Sequence, residues 1–453
     1  MARLRLAGFI LVCVLITATG ASAGMPERTV LDNGLVMILA PIPGSGQVAV
    51  ESFYRTGFID EPEGMPQLSH LVEHLVCQSA TKSFKAGESY ELLNKGRMTN
   101  AETMPCFTHF DYQVSSADLE LALRVEGERL SSLSITQDVI SRELPKCYDE
   151  AAQVERNPQL GMYKFAFAAF GQAWRYKATS ATVKSGLEKV PAAKIQEYHR
   201  SRYQPSGAVL TLVGDFDRAR ALGMAKKHLG GIPSQKVDPP KPIEWAKLPS
   251  RTEVRWDSGL RALCIAFRPT ADVTDRYLLH TWGGLLSPTL MSDEKIAKIA
   301  DFVTCSDPVW TLNSMPFFIY AVPKPAVSID DLRKALESRL LEMLSQPQTK
   351  DDLAQVIAIA RQIGKVPVPA REVIADAAKQ IYPLMDAKQG EAMVMGQVAL
   401  EFGFEELIAR GDPNYLSIPS GTTPDAVLAR LREMLDPSRE FITVLTPMQV
   451  SKP

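Results

Sequence analysis

The stretch "GGIPSQKVDPPKPIEWAKLPSR", residues 230–251, holds five prolines and little apolar periodicity. Proline fixes φ and removes a backbone donor, so a segment this rich in it extends neither a helix nor a sheet and reads as a linker. It separates two portions of about equal length in a chain of 453 residues. Single cores seldom grow beyond ~250 to 300 residues, so a chain of this size, 45% hydrophobic, is expected to build two of them.

The order of elements supports that division. "RTVLDNGLVMILAPIPGSGQVAVESFYRTGF" reads as two strands with an Asn33-Gly34 turn and a Pro/Gly break over residues 41–46. Helical periodicity predicts helices over 67–79, 117–130 and 136–156, and "SGAVLTLVGDFD" predicts a strand over 206–217. Beyond the linker the order begins again. A strand is expected at "RALCIAFRPT", a helix from about Thr274 through "LLHTWGGLL", a strand near "PFFIYAVP" and helices from Ser328 on. The halves agree in the order of their elements and not in residue identity. An α+β fold of two similar domains, 24–229 and 252–453, is therefore expected, with no short-period repeat.

Charge excludes one class of partner. With 50 basic and 52 acidic residues the net charge is −2, and no basic tract interleaved with aromatics is present to hold a nucleic acid. The N-terminus runs from two arginines through an apolar stretch, Leu6 to Ala18, to "ASA" before Gly24. That order is a signal peptide, residues 1–23, and it predicts export, most simply to a bacterial periplasm. The apolar stretch falls short of the ~20 residues that span a bilayer, so no membrane anchor is expected after cleavage. Cys77, Cys106, Cys147, Cys264 and Cys305 form neither a disulfide framework nor a metal knuckle, and they read as small buried hydrophobes with room for one pair.

Chemistry concentrates in "PQLSHLVEHLVCQ", residues 66–78, in a chain with six histidines. On a helix, His70, Glu73 and His74 share one face. Two imidazoles one turn apart can hold a divalent ion from one side. A carboxylate between them is placed to take a proton from water, whose pKa zinc lowers to ≈ 7. The plain alternative is a solvated helix with incidental histidines. A catalytic zinc also needs a third protein ligand, and "TQDVISRELPKCYDEAAQVERN" offers Glu143 and Glu150, seven residues apart and on one face. Taken alone they are equally a surface acidic pair, and Asp149 is the next candidate should Glu150 be misplaced.

His70-x-x-Glu73-His74 reverses the HExxH order and resembles the pitrilysin/insulysin-type zinc metallopeptidases, the inverzincins. In that family a glutamate about 76 positions past the second histidine completes the metal site, with another seven residues before it; Glu150 and Glu143 stand there. "TVLDNGLVMILAP" is similar to the family's opening hairpin, "YRTGFIDEPEGMPQLSHLVEHL" to its metal helix and "YQPSGAVLTLVGDFD" to the last strand of its first half. The resemblance implies two α/β-sandwich domains, each a mixed, mostly antiparallel sheet covered by helices, together forming one half of a clamshell. It implies that His70, His74 and Glu150 bind one zinc ion, that Glu73 is the general base, and that Glu143 orients His74 or His70 from behind. In "GRMTNAETMPCFTHFDY", Asn100 matches an asparagine that helps hold the substrate peptide on an edge strand.

Departures from the family pattern are also legible. Pro145 lies between the two glutamates, so the helix is expected to kink or start late. Cys77 replaces a bulky apolar residue and reads as filler, and His109 reads as structural. An ungapped match from "GGLLSPTLM" puts Lys295 and Phe302 where active relatives carry an Arg and a Tyr that reach the substrate. Lysine lacks the arginine fork, and phenylalanine lacks the hydroxyl. The resemblance thus implies a peptidase acting on peptides or small unfolded polypeptides, working as a homodimer or as the zinc-bearing member of a heterodimer. The alternative is a weak or inactive subunit that binds peptides or stabilises a partner.

Overall fold

The computed structural model describes residues 21–94, 99–157, 162–166, 180–237, 250–256, 260–268, 289–305, 317–361, 366–409 and 418–447, with single positions 247, 283, 286 and 411. The signal segment up to residue 20, the helix expected from Thr274 apart from positions 283 and 286, and half of the proline-rich segment lie outside the described residues.

Runs rich in Val, Ile, Leu and Phe form most of the central strands. The first half supplies β1 (Ser22–Gly24), β2 (Glu27–Val30), β3 (Val36–Pro41), β4 (Gln47–Tyr54), β5 (Thr99–Thr103), β6 (Thr108–Ser115) and β7 (Ala208–Gly214). The second supplies β8 (Ser250–Trp256), β9 (Ala262–Phe267), β10 (Ala300–Cys305), β11 (Phe317–Pro323), β12 (Val368–Pro369) and β13 (Glu440–Pro447). The opening stretch holds three strands rather than two, because Asn33-Gly34 closes a β2–β3 hairpin before the Pro/Gly break; Gly34 takes a φ of 87° that other residues rarely adopt.

One large sheet has the order β2-β3-β7-β4-β6-β5 and a second β10-β11-β9-β13-β8, while β1 and β12 pair separately. Number the strands from β3 to β7, and β8, β9, β10, β11 and β13, as 1 to 5, and both sheets read 1-5-2-4-3. In each, strands 1 and 5 are parallel and the remaining pairs antiparallel. The fold is α+β and duplicated, as the order of elements predicts.

The helices used below are α1 (Leu68–Gln78), α2 (Leu119–Ser131), α3 (Gln137–Arg156), α4 (Met162–Ala166), α5 (Glu294–Ala297), α6 (Ile329–Met343), α7 (Arg371–Ile381), α8 (Ala387–Ala409) and α9 (Pro424–Met434). One face of the first sheet, with Val48, Val50, Phe110, Tyr112 and Leu212, packs on α1, α2 and α3. Its other face, with Ala49, Phe53, Val209 and Val213, is covered by α7 and α8 from the far end of the chain. Gly403 of α8 comes so close that an added Cβ would lie 2.4 Å from Phe53 Cε2. Beside it, Arg28 bonds Glu406 at 2.9 Å. The second sheet is treated likewise. Leu263, Ile265 and Phe267 pack on α6 and α9, while Cys264, Ala266, Phe318 and Tyr320 are covered by Phe165 and Ala166 of α4 with Ile59 and Cys106. Each half of the chain thus lends helical cover to the sheet of the other.

His109 sits between the first sheet and α8, 1% exposed and stacked on Phe53. Its Nδ1 meets Glu51 Oε2 and its Nε2 meets Glu102 Oε2, each at 3.4 Å, which ties β4, β6 and the edge strand β5 together. Burial lowers its pKa, but the bonds to Glu102 and Glu51 and the charges of Glu51 and Asp111 outweigh burial and push it up to about 10. In an unfolded chain the value is ~6.5, so this imidazolium stabilises the fold fully below pH ~6.5 and loses that contribution as pH rises towards the folded value. Denaturant titrations of the wild type and His109→Asn across pH 6 to 10 should therefore show a stability difference that shrinks as pH rises. A difference that grows with pH would contradict the charged assignment.

Candidate metal centre

Glu61 sets up α1. Its carboxylate accepts from Gln67 N at 2.9 Å and Ser69 N at 3.1 Å, placing a negative charge on the positive end of the helix. The chain enters through Gln67, whose φ of 67° makes it the one non-glycine residue with positive φ among the described residues. Leu71, Val72, Leu75 and Val76 bury one stripe of α1 in the core. His70, Glu73 and His74 fall on the stripe facing α3, with His70 and His74 edge to face, ring centroids 4.8 Å apart.

Helix α3 starts at Gln137, where the Thr136 side chain accepts from Val139 N, and it runs through Pro145 to Arg156. The expected late start is absent. Pro145 and Ser141 are both exposed, so water can satisfy the Ser141 carbonyl that loses its partner. Val139, Ile140, Leu144 and Ala151 bury the helix, and Glu143, Cys147 and Glu150 form the stripe towards α1.

Four of the expected residues meet here. Glu150 Oε2 lies 3.0 Å from His70 Nε2, and Glu150 Oε1 lies 3.7 Å from His74 Nε2. Glu143, 5% exposed, accepts at His74 Nδ1 (3.4 Å) and is itself held by Lys146 Nζ at 2.8 and 2.9 Å. Of the two histidines open to Glu143 from sequence, the structure places it on His74, and the bond leaves Nε2 turned to Glu150. Hydrogen bonds from His70 and His74 hold the Glu150 carboxyl well below its usual range. Burial lowers the His74 pKa, but Glu150, Glu73 and Glu143 outweigh it and raise it overall. Asp149 is exposed, one position round the helix from Glu150.

This donor set fits a zinc ion. With bonds of ~2.0–2.1 Å, the ligand atoms of a tetrahedral site stand roughly 3.3 Å apart, close to the two separations between Glu150 and the imidazoles. Glu73, 7% exposed, accepts from Thr103 Oγ1 at 2.6 Å, so the residue between the histidines is anchored to strand β5. Asn100 is exposed on the same strand, opposite Asp111, at the edge of the sheet. Burial pushes the Cys77 thiol up to about 12, and its packing against the core agrees with a filler role. The five described cysteines are free thiols.

Lys295 and Phe302 take different surroundings. Lys295, on α5, pairs with Glu342 of α6 at 3.6 Å. Phe302, on β10, lies edge-on to Tyr320 and packs on the opposite face of the second sheet, among Phe165, Ile59 and Cys106. Sequence reasoning missed three residues of the centre: Glu61, Thr103 and Cys147. Cys147 shares the helical face of Glu143 and Glu150, a spacing that could have been read; Glu61 and Thr103 carry no local signal, since only the folded chain brings them to α1.

Comparison with known proteins follows the same lines. Residues 36–179 match the family described as Insulinase (Peptidase family M16), and residues 189–359 match the description "Peptidase M16 inactive domain". The chain is 28% identical over 230 residues to the zinc protease PqqE of Helicobacter pylori, covering 48% of this chain and 51% of that protein. It is 24% identical over 219 residues to the mitochondrial-processing peptidase subunit beta of Blastocladiella emersonii, covering 47% and 46%. The matched region is thus about half the length of these relatives. A protease structure from Helicobacter pylori superposes with a TM-score of 0.70 at 18% identity, covering 94% of this chain and 100% of that one. Pitrilysin gives 0.64 at 16% identity, covering 94% and 45%.

Glu61→Ala should cost about 1 to 2 kcal/mol of stability by uncapping α1, read from denaturant midpoints. Glu143→Ala should weaken zinc affinity about 10- to 100-fold in a chelator competition, because it frees the His74 ring. Unchanged affinity would show that Glu143 does not orient the ring.

Proposed function

The chain belongs to peptidase family M16, and from that premise we propose that it is a zinc-dependent endopeptidase acting on peptides or small unfolded polypeptides. The observation that carries the reading is the convergence of His70 Nε2 and His74 Nε2 on the Glu150 carboxylate, with Glu73 on the same stripe of α1. His70, His74 and Glu150 would hold the ion. When bound, zinc supplies Lewis acidity towards a peptide carbonyl and lowers the pKa of water.

The remaining work falls to side chains and backbone. Thr103 fixes Glu73 Oε2, so in this proposal Oε1 takes the proton of the attacking water and delivers it to the leaving amine. Strand β5 is the sheet edge beside α1, and an extended peptide can add to it as a further strand, with Asn100 among its contacts. Glu143 and Lys146 keep His74 in one tautomer during turnover. The charge and apolar order of the N-terminus supports export of this enzyme.

A second reading is favoured by Lys295 and Phe302, which supply neither an arginine fork nor a phenolic hydroxyl. In it the chain contributes the zinc centre to a dimer whose partner carries the missing groups, or binds peptides without turning them over. Purified protein incubated with mixed unstructured peptides separates these readings. Glu73→Gln should keep one zinc per chain and lower turnover about a hundredfold to ten-thousandfold. Full activity in that variant would sink the assignment of the base, and no cleavage by the wild type would favour the partner-dependent reading.

A further inference from the structure

A third amino-acid type reaches the centre. One nitrogen of His70, one of His74 and Cys147 Sγ lie within 4.8 Å of one another. Cys147 is 0% exposed and a free thiol, one turn before Glu150 and one turn after Glu143 on the stripe of α3 that faces α1. The two flanking glutamates are already engaged, Glu143 with His74 and Lys146, Glu150 with both imidazoles. Imidazole at ~2.0–2.1 Å and thiolate at ~2.3 Å from one zinc ion stand roughly 3.5 Å apart, so these three atoms need move by only about an ångström to share an ion.

The donors also approach from different sides. Glu150 has a side chain 47% exposed and comes from the solvent side, whereas Cys147 comes from the buried side. Four protein donors fill a tetrahedral zinc, whereas a hydrolytic zinc keeps one position open.

We propose that Cys147 is a fourth protein ligand of this centre, and that the form in which it is bound is a latent state of the peptidase. Sulfur binds as the thiolate, its proton passing to solvent, and occupies the position that the reaction needs for water. Release of the sulfur from the ion, with uptake of a proton from solvent, reopens that position with no change in oxidation state. The thiolate also biases the centre towards zinc, cobalt and cadmium over magnesium or manganese. The proposal rests on the metallopeptidase reading above.

The test uses the full mature chain loaded with zinc or with cobalt. X-ray absorption of the zinc form should show one sulfur neighbour at ~2.3 Å beside nitrogen and oxygen at ~2.0–2.1 Å. The cobalt form should show thiolate-to-metal charge transfer in the near ultraviolet that is lost in Cys147→Ser and Cys147→Ala and kept in Cys77→Ser. A shell of nitrogen and oxygen alone, or charge transfer that survives in Cys147→Ala, overturns the proposal while leaving the metallopeptidase reading intact. Failure of the wild type to take up either ion overturns both. Should the Cys147 variants not fold, the zinc spectrum of the wild type decides the matter by itself.

Discussion

Three glutamates, Glu73, Glu143 and Glu150, gather around two histidines between α1 and α3, and like charges brought so close repel unless each is answered. Each is answered differently. Lys146 and His74 hold Glu143, which is buried; a threonine hydroxyl holds Glu73; Glu150 keeps half its side chain in water and spans both imidazoles. The packing of the first half serves this arrangement. Leu71, Val72, Leu75 and Val76 on one helix and Val139, Ile140 and Leu144 on the other join one core and set the spacing across which the polar stripes meet. The chemistry of these donors would suit a zinc ion.

The edge strand is fixed from both faces. Thr103 ties one face of β5 to Glu73, and Glu102 ties the other to the buried His109. A peptide added to this edge would therefore meet a strand whose position is linked to Glu73. Beneath His109, α8 arrives from more than 250 residues further along the chain and closes over the sheet so tightly that Gly403 has no room for a side chain. The reciprocal cover of the second sheet by α4 makes the two halves depend on each other for burial. The proline-rich segment marks a boundary in the sequence, and the layers cross it.

Much of this was legible in the residues. The helices over 68–78, 119–131 and 137–156 follow their apolar periodicity to within about two residues, and Thr136 and Ser328 act as caps where polar residues precede apolar runs. The duplication was legible as a repeated order of elements, though only the ladders show that both sheets share one strand order. Pro145 did not delay the start of its helix, because the cost of proline in a helix depends on whether the orphaned carbonyl is wet, and burial is not written in the local sequence.

The sequence by itself determined which side chains share a helical face: His70, Glu73 and His74 on one helix, and Glu143, Cys147 and Glu150 on another. That is a matter of the 3.6-residue turn, which acts over a few positions. Tertiary structure decided that these two faces meet, that Glu143 falls on His74 rather than His70, that Thr103 holds Glu73, and that a buried sulfur lies near the histidines. Those pairings join residues about 30 to 80 positions apart, and their register is set by the shapes of the core between them, which no local pattern encodes.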